Sequence, residues 1–201
     1  MNVQLFSNSI WKVNHNNNHI HREIQTLIDE NKLTNDTSIR SHLSVNASPG
    51  IVHGSHEGMY SLQLFKKYED QLGEFLDFVD WEIHQYCKSV SWKRSDYVFL
   101  HSWLNMTPKD SYQEWHIHAN SHISGVYYHN TYLEQGGIIF KNPNPYIHMN
   151  IFPGMDNHPA GMHFAPEPNT LFLFPSWMEH KTDKNRIDRL RTSIAFNVST
   201  Y

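Results

Sequence analysis

Two periodicities divide this chain. Up to about residue 90 the apolar residues recur every three or four positions, and from residue 97 they gather in short blocks separated by Pro, Gly and Asn. Ile20, Ile24, Leu27 and Ile28 fall on one side of a 3.6-residue repeat, so 19–33 is expected to form an amphipathic helix. Leu62, Phe65, Tyr68, Leu72, Phe75, Val79, Ile83 and Tyr86 carry the same repeat through 59–90, which predicts one long helix backing a sheet. Residues 3–13 read as an opening strand broken at Ser7-Asn8-Ser9. The polar stretch 34–58, with Ser-Pro-Gly and His-Gly breakers, reads as a long irregular segment of the kind that often packs over something. Beyond it, strands are expected at 97–106, 113–118, 123–129, 137–141, 170–174 and 191–198. Residues 142–169 hold six of the nine prolines and predict a long loop, with a short strand near 161–164.

Many short strands divided by turn signals point to a sandwich or barrel, here of jelly-roll type. The expected architecture is mainly β with flanking helices. One domain, 1–201, would combine an N-terminal strand and supporting helices (1–95) with a double-stranded β-helix core (96–201) that carries the site.

Composition narrows the function classes. With 39% hydrophobic and 13% aromatic residues among 201, the chain can bury a full core. A net charge of −4 without a basic stripe gives no footing for nucleic acid as an obligate partner. One cysteine, Cys87, excludes a disulfide framework within the chain, and its apolar helical setting makes it a packed thiol. No stretch reaches the ~18 consecutive apolar residues of a membrane span, and the first residues lack a leader's basic and apolar regions; the expectation is a soluble cytoplasmic protein.

Sixteen histidines are too many for all to be ligands, so each is weighed by position. His19 and His21 sit two apart on a predicted helix and point to different sides, which excludes chelation. His116 and His118 sit two apart on a predicted strand, where i and i+2 share a face with Cα atoms roughly 6.5–7 Å apart, so both imidazoles can meet one ion. Glu114 shares that face and is an alternative carboxylate ligand. His180, in Phe-Pro-Ser-Trp-Met-Glu-His, offers a third imidazole, and Arg191-Thr192-Ser193 opens a strand eleven residues later. Arg186 and Arg189 precede that strand and read as solvated loop charges, while Phe174 and Trp177 read as core. His101, His122, His129, His148, His158 and His163 read as structural.

Several motifs occur in a telling order: Ser102-Trp103-Leu104-Asn105, His116-Ile117-His118, Ser124-Gly125-Val126-Tyr127-Tyr128, Gly136-Gly137-Ile138-Ile139-Phe140, Phe174-Pro175-Ser176-Trp177 with His180, and Arg191-Thr192-Ser193-Ile194-Ala195-Phe196-Asn197. In these the chain resembles the 2-oxoglutarate and Fe(II)-dependent dioxygenases, and within them a bacterial and phage subgroup near the prolyl hydroxylases. The resemblance covers about residues 100–200. It implies Fe(II) and 2-oxoglutarate as cofactors, with His116 and His180 as ligands and His118 at the position usually held by a carboxylate. It also implies that Arg191 anchors the far carboxylate of 2-oxoglutarate, helped by Tyr128 and Ser193, with Asn105 a candidate for the metal-side carboxylate. Guanidinium suits that task because it is planar, bidentate and always charged. The implied reaction couples decarboxylation of 2-oxoglutarate to succinate and CO2 with hydroxylation of a C–H bond in a peptide or small organic substrate. Contacts to that substrate would come from 41–58, 142–169, Trp103 and Trp115.

Two other readings stay open. A cupin-like three-histidine dioxygenase needs no cosubstrate, but cupins usually add a glutamate a few residues after His-x-His; here the next is Glu134, sixteen residues past His118, and Arg191 would have no task. A non-catalytic metal- or ligand-binding jelly-roll is the other. A homodimer is compatible with the sequence, which leaves oligomeric state undetermined.

Overall fold

The structure, a computed structural model, describes residues 9–33, 63–92, 96–144 and 161–201. The expected segment 34–58, most of the loop 142–169 with His148 and His158, and the first part of the opening strand lie outside the described residues. Among those described, the order is β1 (Trp11–Asn14), α1 (Asn18–Leu33), α2 (Leu64–Lys67), α3 (Gly73–Ser89), β2 (Tyr97–Thr107), β3 (Gln113–His116), β4 (Ile123–His129), a 3-10 turn at Leu133–Gln135, β5 (Ile138–Lys141), β6 (Gly161–Phe164), β7 (Thr170–Pro175), β8 (His180–Thr182) and β9 (Arg191–Thr200). Strands β1-β7-β4-β9-β2 form a five-stranded antiparallel sheet and β3-β8-β5-β6 a four-stranded one, the double-stranded β-helix the sequence predicts.

The alternation of strand side chains builds two cores, one on each face of the large sheet. Tyr127, Leu171, Leu173, Ile194, Phe196 and Val198 point away from the small sheet and pack with Ile20, Ile24 and Leu27 of α1 and Phe75, Val79 and Ile83 of α3. Gly125 belongs to this face: a Cβ there would lie 2.1 Å from the Phe196 ring, so the phenyl group covers the strand only because position 125 has no side chain. On the opposite face Tyr128, Phe172 and Phe174 meet Ile138 and Phe140 of the small sheet, with Met178. Burial of such large side chains stabilises by about 1.5–3 kcal/mol each. Residues 191–198 of β9 are all buried, as a strand covered on both faces must be.

The helices are positioned by side-chain capping. Asn17 Oδ1 accepts from the His19 N–H at 2.8 Å, an N-cap for α1. The Glu23 carboxylate of α1 then accepts from the N–H groups of Glu74 (3.1 Å) and Phe75 (2.9 Å), satisfying free donors at the start of α3. That contact accounts for a difference from the sequence reading: the helix expected over 59–90 is interrupted around Glu69–Gln71, because Glu23 occupies donors that a continuous helix would bond to the carbonyls of Asp70 and Gln71. The apolar repeat survives the interruption, with Leu64, Phe65, Leu72 and Phe75 all in the outer core. Cys87 is buried there too. Trp177 differs from expectation: it follows the end of β7 and is 53% exposed, whereas Phe174, inside the strand, is 1% exposed.

Strand pairing sets the interior of the large sheet in rows. Asn105, Ser193 and Tyr128 lie side by side across β2, β9 and β4; two residues along are Trp103, Ala195 and Val126; two further are His101, Asn197 and Ser124. Arg191, opposite Thr107, stands at the other end.

Candidate active site

The two sheets enclose a cavity of about 280 Å³ whose lining includes His116, His118 and His180 together with Arg191, Tyr128, Ser193 and Asn105. His116 and His180 are direct cross-strand partners on β3 and β8, with ring centroids 4.2 Å apart. Their pairing depends on a register shift between Gln113 and His116. Without it Trp115 would oppose His180; with it Trp115 turns outward and His116 inward, a common use of a β-bulge. His118 converges by another route. It lies beyond the end of β3, not on the strand as predicted, and its backbone N–H is held by the Ser176 carbonyl at 2.9 Å. One ligand-capable atom from each of the three imidazoles lies within 4.8 Å of the others.

The rings are prepared for a cation. Nδ1 of His116 faces the Glu114 carbonyl at 2.7 Å, and Nδ1 of His180 faces the Met178 carbonyl at 2.9 Å. A carbonyl only accepts, so both rings carry hydrogen on Nδ1 and present the Nε2 lone pair. Burial lowers the pKa of all three, His180 to about 3, and their mutual proximity lowers those of His118 and His180 further. At neutral pH the cluster is three neutral imidazoles, the charge state a metal requires, and His116 and His180 present unused Nε2 lone pairs.

At the other end, Arg191 is 3% exposed. Its Nη1 donates to the carbonyls of Gln135 (2.7 Å), Gly136 (3.1 Å) and Asp183 (2.9 Å), and Nη2 donates to Thr182 Oγ1 at 2.9 Å. Gly136 lets these carbonyls gather: it has φ of 73°, and a Cβ there would lie 2.6 Å from the Asp183 carbonyl oxygen, while a Cβ on Gly137 would lie 1.8 Å from the Phe164 carbonyl oxygen of β6. Among the described residues no carboxylate forms an ion pair with the Arg191 guanidinium. Beside it the Tyr128 hydroxyl is buried without a hydrogen-bond partner. Burial raises the Tyr128 pKa while the Arg191 charge pulls it back in part, so the phenol stays a donor at neutral pH. The Asp183 carboxylate lies near enough to stabilise the Arg191 charge without forming an ion pair, and a buried cation of this kind next to an unused hydroxyl donor fits an anion with several acceptor oxygens.

The structure therefore brings the seven residues singled out from the sequence to one cavity and leaves others outside it. Glu114 is not part of the cation-binding group; its carbonyl supports His116 instead. Arg186 and Arg189 are exposed, and Arg189 reaches the Tyr132 hydroxyl at 2.7 Å. His122 and His163 are exposed, and His129 is buried against α1. The sequence reading missed Thr182 and Asn197. Thr182 Oγ1 accepts from both Arg191 and the Gln113 backbone, and the strand that carries it, β8, has three residues, too short for a periodicity signal. Asn197 contacts the His118 ring, and only its even spacing from Arg191 and Ser193 along β9 marks it as inward-facing.

Together these features define the class: a jelly-roll with a candidate mononuclear metal centre and an anion seat in one cavity. Residues 101–197, just under half of the chain, match the family model described as "Putative 2OG-Fe(II) oxygenase", so this β core is similar to the 2-oxoglutarate and Fe(II)-dependent oxygenases. No curated protein matches the sequence. Among solved structures, HygX from Streptomyces hygroscopicus with nickel and 2-oxoglutarate bound aligns with a TM-score of 0.58 at 10% identity, over 96% of this chain and 82% of that one. A prolyl-4-hydroxylase from Pseudomonas putida aligns with a TM-score of 0.57 at 11% identity, over 95% and 93%. A 2OG-Fe(II) oxygenase family oxidoreductase from Burkholderia pseudomallei aligns at 16% identity with a TM-score of 0.49, and there this chain spans 58% of the other. At these identities the likeness is one of fold. No helix among the described residues is long and apolar enough to cross a membrane.

Proposed function

We propose that the chain is a 2-oxoglutarate- and Fe(II)-dependent oxygenase that hydroxylates a C–H bond of a small organic or peptide substrate. The observation that carries this reading is the pairing, inside one cavity, of three neutral imidazoles with a buried Arg191 that forms no ion pair with a carboxylate among the described residues. His116, His118 and His180 would hold the iron. Arg191 would take the far carboxylate of 2-oxoglutarate, with the Tyr128 and Ser193 hydroxyls as further donors and Asn105 toward the metal side. When bound, the iron and 2-oxoglutarate would supply the oxidising chemistry; the chain orients them and excludes water. A third imidazole in place of a carboxylate leaves the metal site one unit more positive than the common two-histidine, one-carboxylate set, which changes its redox potential and favours anionic co-ligands.

A cupin-like enzyme without cosubstrate would have no use for a guanidinium and a phenol aimed into the same cavity. The test is aerobic turnover in the absence of any prime substrate. Succinate release that requires both added Fe(II) and 2-oxoglutarate is expected. Iron binding without succinate release, and without an effect of 2-oxoglutarate on the bound iron, would favour the cupin-like reading. Failure to bind any divalent metal would leave a non-catalytic barrel. Screening the uncoupled reaction against peptides and small metabolites for stimulation then identifies the substrate class.

A further inference from the structure

The three histidines are not held alike. His116 and His180 each direct Nδ1 at a carbonyl oxygen two residues back along the chain, an acceptor that fixes one tautomer. His118 directs Nδ1 at a side chain: Nδ2 of Asn197, 3.3 Å away. Asn197 is 3% exposed and its Oδ1 accepts from Ser124 Oγ at 2.8 Å; Ser124 Oγ lies 2.9 Å from Ser176 Oγ. The circuit closes on the same histidine, because the Ser176 carbonyl accepts the His118 backbone N–H. Ser124 and Ser176, 1% and 0% exposed, have no solvent to adjust to, so the amide, two hydroxyls and the ring must satisfy one another.

In that arrangement the amide donates to Nδ1, which puts the ring hydrogen of neutral His118 on Nε2. The nitrogen facing the other two imidazoles then has no lone pair for a metal. Turning the amide by half a rotation exchanges its oxygen and nitrogen in nearly the same space. Oδ1 then accepts from Nδ1–H, Nδ2 donates to Ser124 Oγ, and Ser124 donates to Ser176 Oγ. Every member keeps a partner, and Nε2 of His118 becomes a ligand. No such alternative exists for His116 or His180, whose partners are backbone carbonyls.

We propose that Asn197 is the positioning residue that selects the tautomer of His118: with its amide oxygen toward Nδ1–H the ring presents Nε2 to a metal, and with its amide nitrogen toward Nδ1 it does not. The proposal rests on the reading of His118 as a ligand made above. It makes His118 the conditional member of the set, engaged only when the amide turns.

The test uses the full chain, zinc as the probe, and two substitutions. Asn197→Asp offers acceptor oxygens only and holds the ring in the ligating tautomer. Asn197→Leu fills similar space without polar atoms. Nitrogen-15 NMR of histidine-labelled, zinc-loaded protein should show hydrogen on Nδ1 of His116, His118 and His180 alike. Asn197→Asp should show Nδ1–H on His118 before zinc is added and bind zinc at least as tightly as the parent. Asn197→Leu should bind about 10- to 100-fold more weakly, the usual effect of losing a ligand's hydrogen-bond partner. A His118 that carries its hydrogen on Nε2 in the zinc-loaded parent protein, or zinc affinity equal to the parent's in a folded Leu variant, overturns the proposal while leaving the metal site intact. Should the Leu variant not fold, the Asp variant and the parent spectra decide, and zinc binding lost in the Asp variant also overturns it. A parent protein that binds no zinc overturns the ligand reading itself.

Discussion

The hydroxyl of Tyr128 separates stability from ligand binding cleanly. It is buried, has no hydrogen-bond partner, and points into the cavity beside Arg191. A buried hydroxyl with nothing to bond costs about 1–3 kcal/mol relative to water. Tyr128→Phe removes that cost and keeps the ring among Phe172 and its neighbours. Without cosubstrate the variant should therefore be as stable as the parent or more so, by up to about 3 kcal/mol, at about 2–4 °C in Tm per kcal/mol for a chain of this size. With cosubstrate the sign reverses. A phenol donating to a carboxylate contributes about 1.5–3 kcal/mol, so 2-oxoglutarate should bind the Phe variant about 10- to 150-fold more weakly. Tyr127 is the control: its hydroxyl donates to Asn169 Oδ1 at 3.2 Å and meets His15 Nε2 at 2.9 Å, on the helix-facing side of the same strand. Tyr127→Phe should lose about 0.5–1.5 kcal/mol of stability and leave cosubstrate affinity alone. Scanning calorimetry of the free proteins and anaerobic titration calorimetry of the metal-loaded ones read both arms. A Tyr128→Phe protein destabilised by more than about 1 kcal/mol, or one that binds 2-oxoglutarate as the parent does, would refute the reasoning.

Further expectations concern the other groups. His180→Ala should abolish metal binding while the fold persists, and a collapse of its melting transition would show that the imidazole is chiefly structural. Arg191→Lys keeps a charge but loses the planar fork whose two nitrogens reach the Gln135, Gly136 and Asp183 carbonyls and Thr182 at once; metal affinity should hold and 2-oxoglutarate affinity fall at least about tenfold, equal cosubstrate affinity removing Arg191 as the anchor. Glu114→Gln should leave metal affinity unchanged, and its loss would restore the carboxylate as a ligand. The metal-free protein should lose stability on acidification. His116, His118 and His180 have pKa values lowered by burial, so the unfolded chain takes up protons first; the loss begins near the ordinary histidine value of about 6.5 and continues as pH falls toward the folded values. Chemical denaturation at a series of pH values checks this, and His180→Ala should flatten the slope.

Much of the core was legible because strands spell out their faces at a period of two. The inward row on β9, Arg191, Ser193, Ala195 and Asn197, and the outward row, Ile194, Phe196 and Val198, follow from alternation once the strand is recognised. The helical faces were equally plain, but the break before α3 was not. It depends on Glu23 reaching the N–H groups of Glu74 and Phe75 from another element, and no local propensity records that. His116 and His118 were paired by a spacing rule, yet the structure unites them by a bulge in β3 and by a loop residue tied to Ser176, so the same convergence has a different cause. Trp177 looked like core by composition and is exposed because β7 ends at Pro175. Thr182 and Asn197 were hidden for opposite reasons: one sits on a strand too short to show a period, the other in a row whose chemistry appears only when His118 is beside it.

Anaerobic titration of the Fe(II)-loaded protein with 2-oxoglutarate, followed by visible absorption, tests the central claim most directly. Joint binding of the keto acid and the metal in one cavity should give a weak charge-transfer band that saturates at one equivalent. Iron that stays bound while no band develops, even with 2-oxoglutarate in large excess, would contradict the account.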